Sequence, residues 1–360
     1  MTEEYYKQYV FEGSPQEVGR QYGETFKKAV REHIELTYEL AAHVSGSKPE
    51  KVLETTRLFE PYIEKYAPDF MVEIHGISEG AGIKPEEALL PQVRQEVVYF
   101  GQYGGGNNEC TSYAIDETYT ADGKVYSGQN ADLSGDFESV SNVVTFAVDN
   151  KPKIMMLVPA GQISYVGIND RGLGINCNFL PCDGWRIGFP RYLISRFLLE
   201  AGDIDKAKYR MNSLKERASS RNLLLSNEKG EFINYEMTPD RIAGLETSGK
   251  IVHSNHFLDP AMREFEGSDE LEMIDSQWRF KRLNQLIEEN KGKITENTIK
   301  EMLRDHEMDK EIGKFSICTH ASEETDGYHT FASIINNLTD RTMSITKGNP
   351  CKAEYKTYSL

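Results

Sequence analysis

No apolar run in this 360-residue chain approaches the roughly 20 residues that a membrane-spanning helix needs. Its start, Met1-Thr2-Glu3-Glu4, is acidic where a secretory signal would be basic. These absences lead to the expectation of a soluble, cytoplasmic protein with no membrane partner. Basic charge is also in deficit: 41 Lys and Arg against 57 Asp and Glu leave a net charge of −16, which repels a phosphate backbone. No nucleic-acid partner is expected. Cysteine is scarce, and Cys110, Cys177, Cys182, Cys318 and Cys351 form an odd, scattered set unlike a disulfide framework. Cys177 and Cys182 lack a second pair at zinc-ligand spacing, and His253 and His256 lack the spacing and glutamate of a metalloprotease helix. The expectation is therefore no metal and no cofactor.

What is present divides at a glycine run. Before it the chain reads as helices. Ser14-Pro15-Gln16-Glu17 combines an N-cap serine, a proline at the first helical position and a glutamate three residues on. Val18, Tyr22, Phe26, Val30, Ile34 and Tyr38 follow at helical spacing, which predicts one long amphipathic helix ending near Gly46. Further helices are predicted over residues 49–65, 69–79 and 85–98. Then comes Gly101-Gln102-Tyr103-Gly104-Gly105-Gly106-Asn107-Asn108, whose composition favours open or left-handed backbone.

After Cys110 the texture changes to short strand-like runs: 111–115, 125–129, 143–148, 154–158, 164–168 and 174–179. Asp122-Gly123 signals a hairpin turn between the first two. Helices are predicted over 190–199 and 204–216, strands over 222–226, 232–237 and 250–254, helices over 276–289 and 295–305, and strands over 314–318, 329–336 and 342–346. Strands followed by helices, twice over, indicate an α+β protein with antiparallel sheets rather than a βαβ alternation.

Cys110 is the leading candidate for chemistry. Cutting the Glu109–Cys110 bond would give it a free α-amine, so that one residue carries both a thiol nucleophile and a base. A free thiol has a pKa near 8.5 and an α-amine near 7.7–8.0, so the proton can pass between them at neutral pH. The competing reading is a small apolar residue that opens a buried strand.

Glu109-Cys110-Thr111-Ser112, Gly128-Gln129-Asn130-Ala131-Asp132, Gly167-Ile168-Asn169 with Gly172-Leu173-Gly174-Ile175-Asn176, and His253-Ser254-Asn255-His256 occur in an order that resembles the acyl-coenzyme A:6-aminopenicillanic acid acyltransferase (isopenicillin-N acyltransferase) family. Ile77-Ser78-Glu79-Gly80-Ala81-Gly82 and Lys347-Gly348-Asn349-Pro350-Cys351 extend the resemblance over nearly the whole chain. It implies an N-terminal-nucleophile (Ntn) hydrolase fold, a four-layer αββα sandwich with two antiparallel sheets. It also implies autoproteolysis between Glu109 and Cys110, dividing an N-terminal helical segment, 1–109, from a catalytic core, 110–360, within one integrated unit.

By the same resemblance Asp132 would orient the new amine, the alternative being an ordinary turn aspartate. Asn255 would donate to an oxyanion, the alternative being an amide that ties down a strand end. Asn176 and Asn178 alternate onto one strand face, where they either line the pocket or meet solvent. Ser220 matches a pocket serine of the family or caps a helix-to-strand junction. Tyr165, Phe179 and Phe257 flank the motifs as apolar pocket candidates. Gln129 stands where bile-salt and penicillin V hydrolases carry arginine. Thr319 follows Cys318 where relatives often have arginine, and Glu109 replaces a glycine of the penicillin enzyme. The expected protein is a self-cleaving cysteine amidohydrolase or acyltransferase acting on a small N-acyl amide or acyl donor. The alternative is an unprocessed, inactive binding or scaffold protein of the same fold.

Overall fold

The computed structural model describes residues 4–99, 110–310, 315–322 and 327–360. Helix α1 (Pro15–Ser45) starts at the expected capping box: the Glu17 N–H donates to Ser14 Oγ, and the Ser14 N–H donates to the Glu17 carboxylate at 2.8 Å. Val18, Tyr22, Phe26, Val30 and Ile34 are buried along one face, and Gly46 closes the helix in the left-handed region at φ 66°. Two helices, α2 (Pro49–Arg57) and α3 (Glu60–Tyr66), replace the single one expected over 49–65. Pro61 explains the break, because it has no N–H to continue the ladder and is tolerated only in a new first turn.

Helices α4 (Pro68–Ala81) and α5 (Pro85–Val98) complete the N-terminal helices. Glycine sets how closely α1 and α4 approach. A Cβ on Gly19 would lie 1.9 Å from the Glu73 carbonyl oxygen, and one on Gly76 would lie 2.4 Å from that of Gln16.

The strands before the central helices are β1 (Gln8–Gly13), β2 (Cys110–Ile115), β3 (Tyr126–Ser134), β4 (Ser141–Val148), β5 (Ile154–Pro159), β6 (Val166–Asn169) and β7 (Leu173–Asn178), with a short α6 (Asp136–Val140) ahead of β4. Then follow α7 (Arg191–Leu199), α8 (Ile204–Ser213), β8 (Arg221–Asn227), β9 (Phe232–Met237), β10 (Ile242–Thr247) and β11 (Lys250–His253). The chain closes with α9 (Glu270–Glu289), α10 (Glu296–Leu303), β12 (Tyr328–Asn337), β13 (Thr342–Ile345) and β14 (Lys356–Ser359).

Among the described residues these strands form an eight-stranded sheet, ordered β1-β4-β5-β6-β7-β8-β9-β10, and a six-stranded sheet, ordered β11-β2-β3-β12-β13-β14. Every pairing is antiparallel except β1 with β4. The N-terminal segment is thus not purely helical, since its β1 joins the larger sheet. Helices α1 and α7 cover the outer face of the eight-stranded sheet, and α9 and α10 cover that of the six-stranded sheet. The inner faces meet where β2 and β3 pack on β7. The α+β class and the four layers αββα are therefore as expected.

The strands that sequence patterning missed, β1, β10 and β14, are all sheet edges. There one side of the strand meets no neighbour, so the alternation of buried and polar residues weakens. In β14 only Tyr358 is buried. The opposite error occurs at 314–318: residues 315–318 form no strand. Their backbone is satisfied elsewhere, with the Cys318 N–H donating to the Asp305 carbonyl and Asn130 Nδ2 donating to the Ile317 carbonyl at 2.9 Å. The connection between β2 and β3 spans residues 116–125 rather than a two-residue turn at Asp122-Gly123.

Candidate active site

Cys110 opens β2, a central strand of the six-stranded sheet, and faces the other sheet. Its register partner on β3 is Ala131, so Asp132 is the next residue along. On the other side β11 ends at His253, opposite Ser112, and the ladder stops short of Cys110. Side chains take over there. The Cys110 N–H donates to Asn255 Oδ1 at 2.9 Å. The Cys110 carbonyl accepts from Asn178 Nδ2 at 2.7 Å and from Arg279 Nη1 at 2.9 Å.

Asn255 is held in turn. Its N–H donates to Ser276 Oγ at 2.7 Å, and its Nδ2 donates to the Phe179 carbonyl at 3.0 Å. That bond uses one of the two Nδ2 hydrogens and fixes the amide plane, so an oxyanion would be met by the second. Arg279 is fully buried on α9, donates also to Thr111 Oγ1 at 2.8 Å and to Asn255 Oδ1 at 3.0 Å, and pairs with Asp275 one turn earlier.

Asp132 lies inside strand β3, not in a turn, and is fully buried. Among the described residues its Oδ1 has no hydrogen-bond partner, and its Oδ2 accepts from Thr319 Oγ1 at 3.5 Å. Burial pushes its carboxyl up to about 7, against the opposing charge of Arg279 and the Thr330 hydroxyl. Burial likewise pushes the Cys110 thiol well above its usual range, aided by the Asp132 charge and opposed by the Asp132 main-chain N–H and by Arg279. Position 319 thus supplies a hydroxyl to Asp132, while Arg279 supplies the positive charge beside Cys110. Glu109 and the glycine run lie outside the described residues, so the geometry of the scissile bond does too.

Cys110 borders a pocket walled by Tyr165, Phe179, Tyr192 and three arginines, Arg94, Arg191 and Arg221. Each arginine is no more than 3% exposed. Arg94 Nη2 donates to the Tyr192 hydroxyl at 2.8 Å, and Arg221 Nη2 donates to Cys177 Sγ at 2.6 Å. The guanidinium of Arg191 lies 5.0 Å from the Phe179 ring centroid and 4.8 Å from that of Trp185. Arg196, on the same helix as Arg191, is neutralised by Glu73 and Glu200, whereas Arg94, Arg191 and Arg221 form no ion pair among the described residues. Glu96 accepts the main-chain N–H of Arg191 at 2.9 Å and the Ser219 hydroxyl at 2.8 Å, and no guanidinium among the described residues. Burial raises the Tyr192 phenol, but the three guanidinium charges outweigh it and the net shift is downward.

The other expected pocket residues separate. Tyr165 and Phe179 line the Cys110 pocket, as does Asn178. Asn176 shares the Asn178 face but meets Asn336 of the opposite sheet, whose Nδ2 donates to its Oδ1 at 3.3 Å. Ser220 turns away from the cavity, donating to the Leu180 carbonyl and accepting from Trp185 Nε1 at 3.0 Å, and so braces the wall. Phe257 borders a different cavity with His256 and Arg263.

Sequence reasoning missed Arg279 and the three pocket arginines. The available signals were Asp275 four residues before Arg279 on one helix face, and arginines set against apolar runs in Arg191-Tyr192-Leu193-Ile194 and Arg221-Asn222-Leu223-Leu224.

The chain is 26% identical over 344 residues to the 40 kDa form of acyl-coenzyme A:6-aminopenicillanic-acid-acyltransferase of Emericella nidulans, covering 94% of this chain and 92% of that protein. Among solved structures it is similar to a variant of the conjugated bile acid hydrolase of Clostridium perfringens, with 13% identity, a TM-score of 0.48, and 70% of this chain and 97% of that one covered. It is also similar to penicillin V acylase of Agrobacterium tumefaciens, with 12% identity, a TM-score of 0.47, and 70% and 86% covered. The family model described as acyl-coenzyme A:6-aminopenicillanic acid acyl-transferase matches residues 119–352, and the chain belongs to that family.

Proposed function

We propose that this chain cuts its own Glu109–Cys110 bond and then works as a cysteine amidohydrolase or acyltransferase on a small N-acyl amide. The observation that supports this most is the grip on Cys110: its nitrogen rests on a side-chain oxygen, Asn255 Oδ1, while Asn178 and Arg279 clamp its carbonyl at a pocket wall. A nitrogen held by a side chain keeps its acceptor after the peptide bond is cut.

In the first step Cys110 Sγ bonds to the Glu109 carbonyl carbon, the C–N bond breaks and the nitrogen takes the thiol proton. Water then cleaves the thioester, leaving a carboxylate on Glu109 and a free thiol and amine on Cys110. In later cycles the amine takes the thiol proton as Sγ attacks the substrate carbonyl. The leaving amine recovers that proton, and water or another amine accepts the acyl group. Asp132, whose Oδ1 has no partner among the described residues, is the carboxylate for the freed ammonium. No cofactor enters these steps.

The pocket charge narrows the substrate. Three buried guanidiniums without a carboxylate partner among the described residues favour an N-acyl amide that carries an anionic group of its own, because a carboxylate recovers the desolvation cost that the arginines incur.

A denaturing gel tests the central reading. The 40.9 kDa chain should run as fragments of about 12 and about 28 kDa, and the Cys110→Ala chain should stay whole. A wild-type chain that stays intact and ignores thiol alkylation overturns the reading.

A further inference from the structure

Away from the Cys110 pocket, four side chains from separate segments converge on one point. His306 follows α10, Cys318 and His320 belong to the irregular segment 315–322, and Cys351 lies in the turn after β13. Their Nε2, Nδ1 or Sγ ligand atoms all lie within 4.8 Å of one another. His306 Nε2 is 3.0 Å from His320 Nε2, and Cys351 Sγ is 3.3 Å from His320 Nε2. Cys318 Sγ is 3.6 Å from Cys351 Sγ and 3.8 Å from His320 Nε2.

We propose that His306, Cys318, His320 and Cys351 bind one zinc ion in a closed, structural Cys2His2 site. Tetrahedral zinc with Zn–S of about 2.3 Å and Zn–N of about 2.0–2.1 Å sets its ligand atoms about 3.3 Å (N to N), about 3.6 Å (N to S) and about 3.8 Å (S to S) apart. The four distances follow that spacing. A disulfide does not account for them, since bonded sulfurs are about 2.05 Å apart. Hydrogen bonding accounts for them poorly, because two imidazole nitrogens and two weakly donating sulfurs would have to face one another. Two thiolates balance the charge of the ion, and Asn349 Nδ2, 3.7 Å from Cys318 Sγ, is a donor to one of them.

The site explains why segment 315–322 is held without a strand or helix. Thr319 sits between two of the ligands, and its hydroxyl reaches Asp132. The ion would therefore fix the segment that closes over the buried Asp132 carboxylate. With all four positions taken by protein, it has no place for a reacting water.

The test uses the full-length chain, purified under reducing conditions. About one zinc per chain is expected by elemental analysis. EDTA should remove it and lower the melting temperature, and added zinc should restore both. Cobalt should give the intense visible bands of a tetrahedral sulfur-ligated ion. The Cys351→Ser chain, altered at an exposed position, should hold at least tenfold less zinc, and its melting temperature should not respond to EDTA. Failure of the reduced, EDTA-treated wild-type chain to take up zinc overturns the proposal. So does full zinc content in a His306→Ala/Cys351→Ser chain, or a Cys318–Cys351 disulfide in the native chain that excludes the metal.

Discussion

Arg279 Nη1 lies 2.9 Å from the Cys110 carbonyl oxygen, although 169 positions separate the two residues. One guanidinium thereby ties the first residue of β2 to Asp275 and to Asn255. Replacing it with leucine leaves the Asp275 carboxylate buried and alone, which costs about 3–5 kcal/mol. Arg279→Lys keeps the charge but not the planar fork. The expected outcome is a lysine chain that folds and cleaves itself at least about tenfold more slowly, from the loss of charge-assisted bonds of about 1.5–3 kcal/mol each. Timed denaturing gels measure it, and an unchanged rate would count against a role for Arg279 in holding Cys110.

Asp132 makes the stability of the uncut chain depend on pH. Its carboxyl is pushed up to about 7 by burial, against Arg279, Thr330 and His329 and with the help of Asp275. The folded state holds the proton more tightly than the unfolded state, whose value is about 3.9. The resulting stabilisation is complete below about pH 4 and is lost as pH rises through about 7. In the Cys110→Ala background, Asp132→Asn removes that loss. Its stabilising effect should grow between pH 5 and pH 8 by on the order of 2 kcal/mol, read from urea midpoints at both values. An effect of the same size at both pH values would show that Asp132 does not titrate there.

The pocket arginines predict a preference for charged substrates. Arg191→Gln should raise KM for an N-acyl amide bearing a free carboxylate by about tenfold or more, given about 1.5–3 kcal/mol for a charge-assisted hydrogen bond. It should leave the matching methyl ester nearly unchanged. Equal losses on both substrates would assign Arg191 to the packing of Phe179 and Trp185 instead.

The contact between α1 and α4 predicts a cost that leaves chemistry alone. Gly76→Ala sets a Cβ 2.4 Å from the Gln16 carbonyl oxygen, a main-chain atom that cannot swing aside. The helices must separate, at about 1–3 kcal/mol. A lower urea midpoint with self-cleavage intact is expected.

Local signals made much of the architecture legible. Ser14 and Glu17 marked the start of α1, and short apolar or β-prone runs bounded by turn residues revealed buried central strands such as β5 and β9. Edge strands β1, β10 and β14 escaped because half their environment is solvent. Cys110, Asp132 and Asn255 were singled out in the sequence because their motifs stand in a family order, and the fold gathers all three around the start of β2. Arg279 and the three pocket arginines escaped because their local signals, Asp275 four residues before Arg279 and apolar runs beside Arg191 and Arg221, also surround arginines that stay solvated.

The sequence by itself determined the α+β class, the helical lead into a strand-rich remainder, and the cysteine most worth testing. Each is written in capping, periodicity or order along the chain, over distances of a few residues. Only the tertiary structure decided what surrounds that cysteine and where His306, Cys318, His320 and Cys351 meet. Those relations join separate segments of the chain, and they exist only once the two sheets and the helices that cover them have packed together and buried the groups between them.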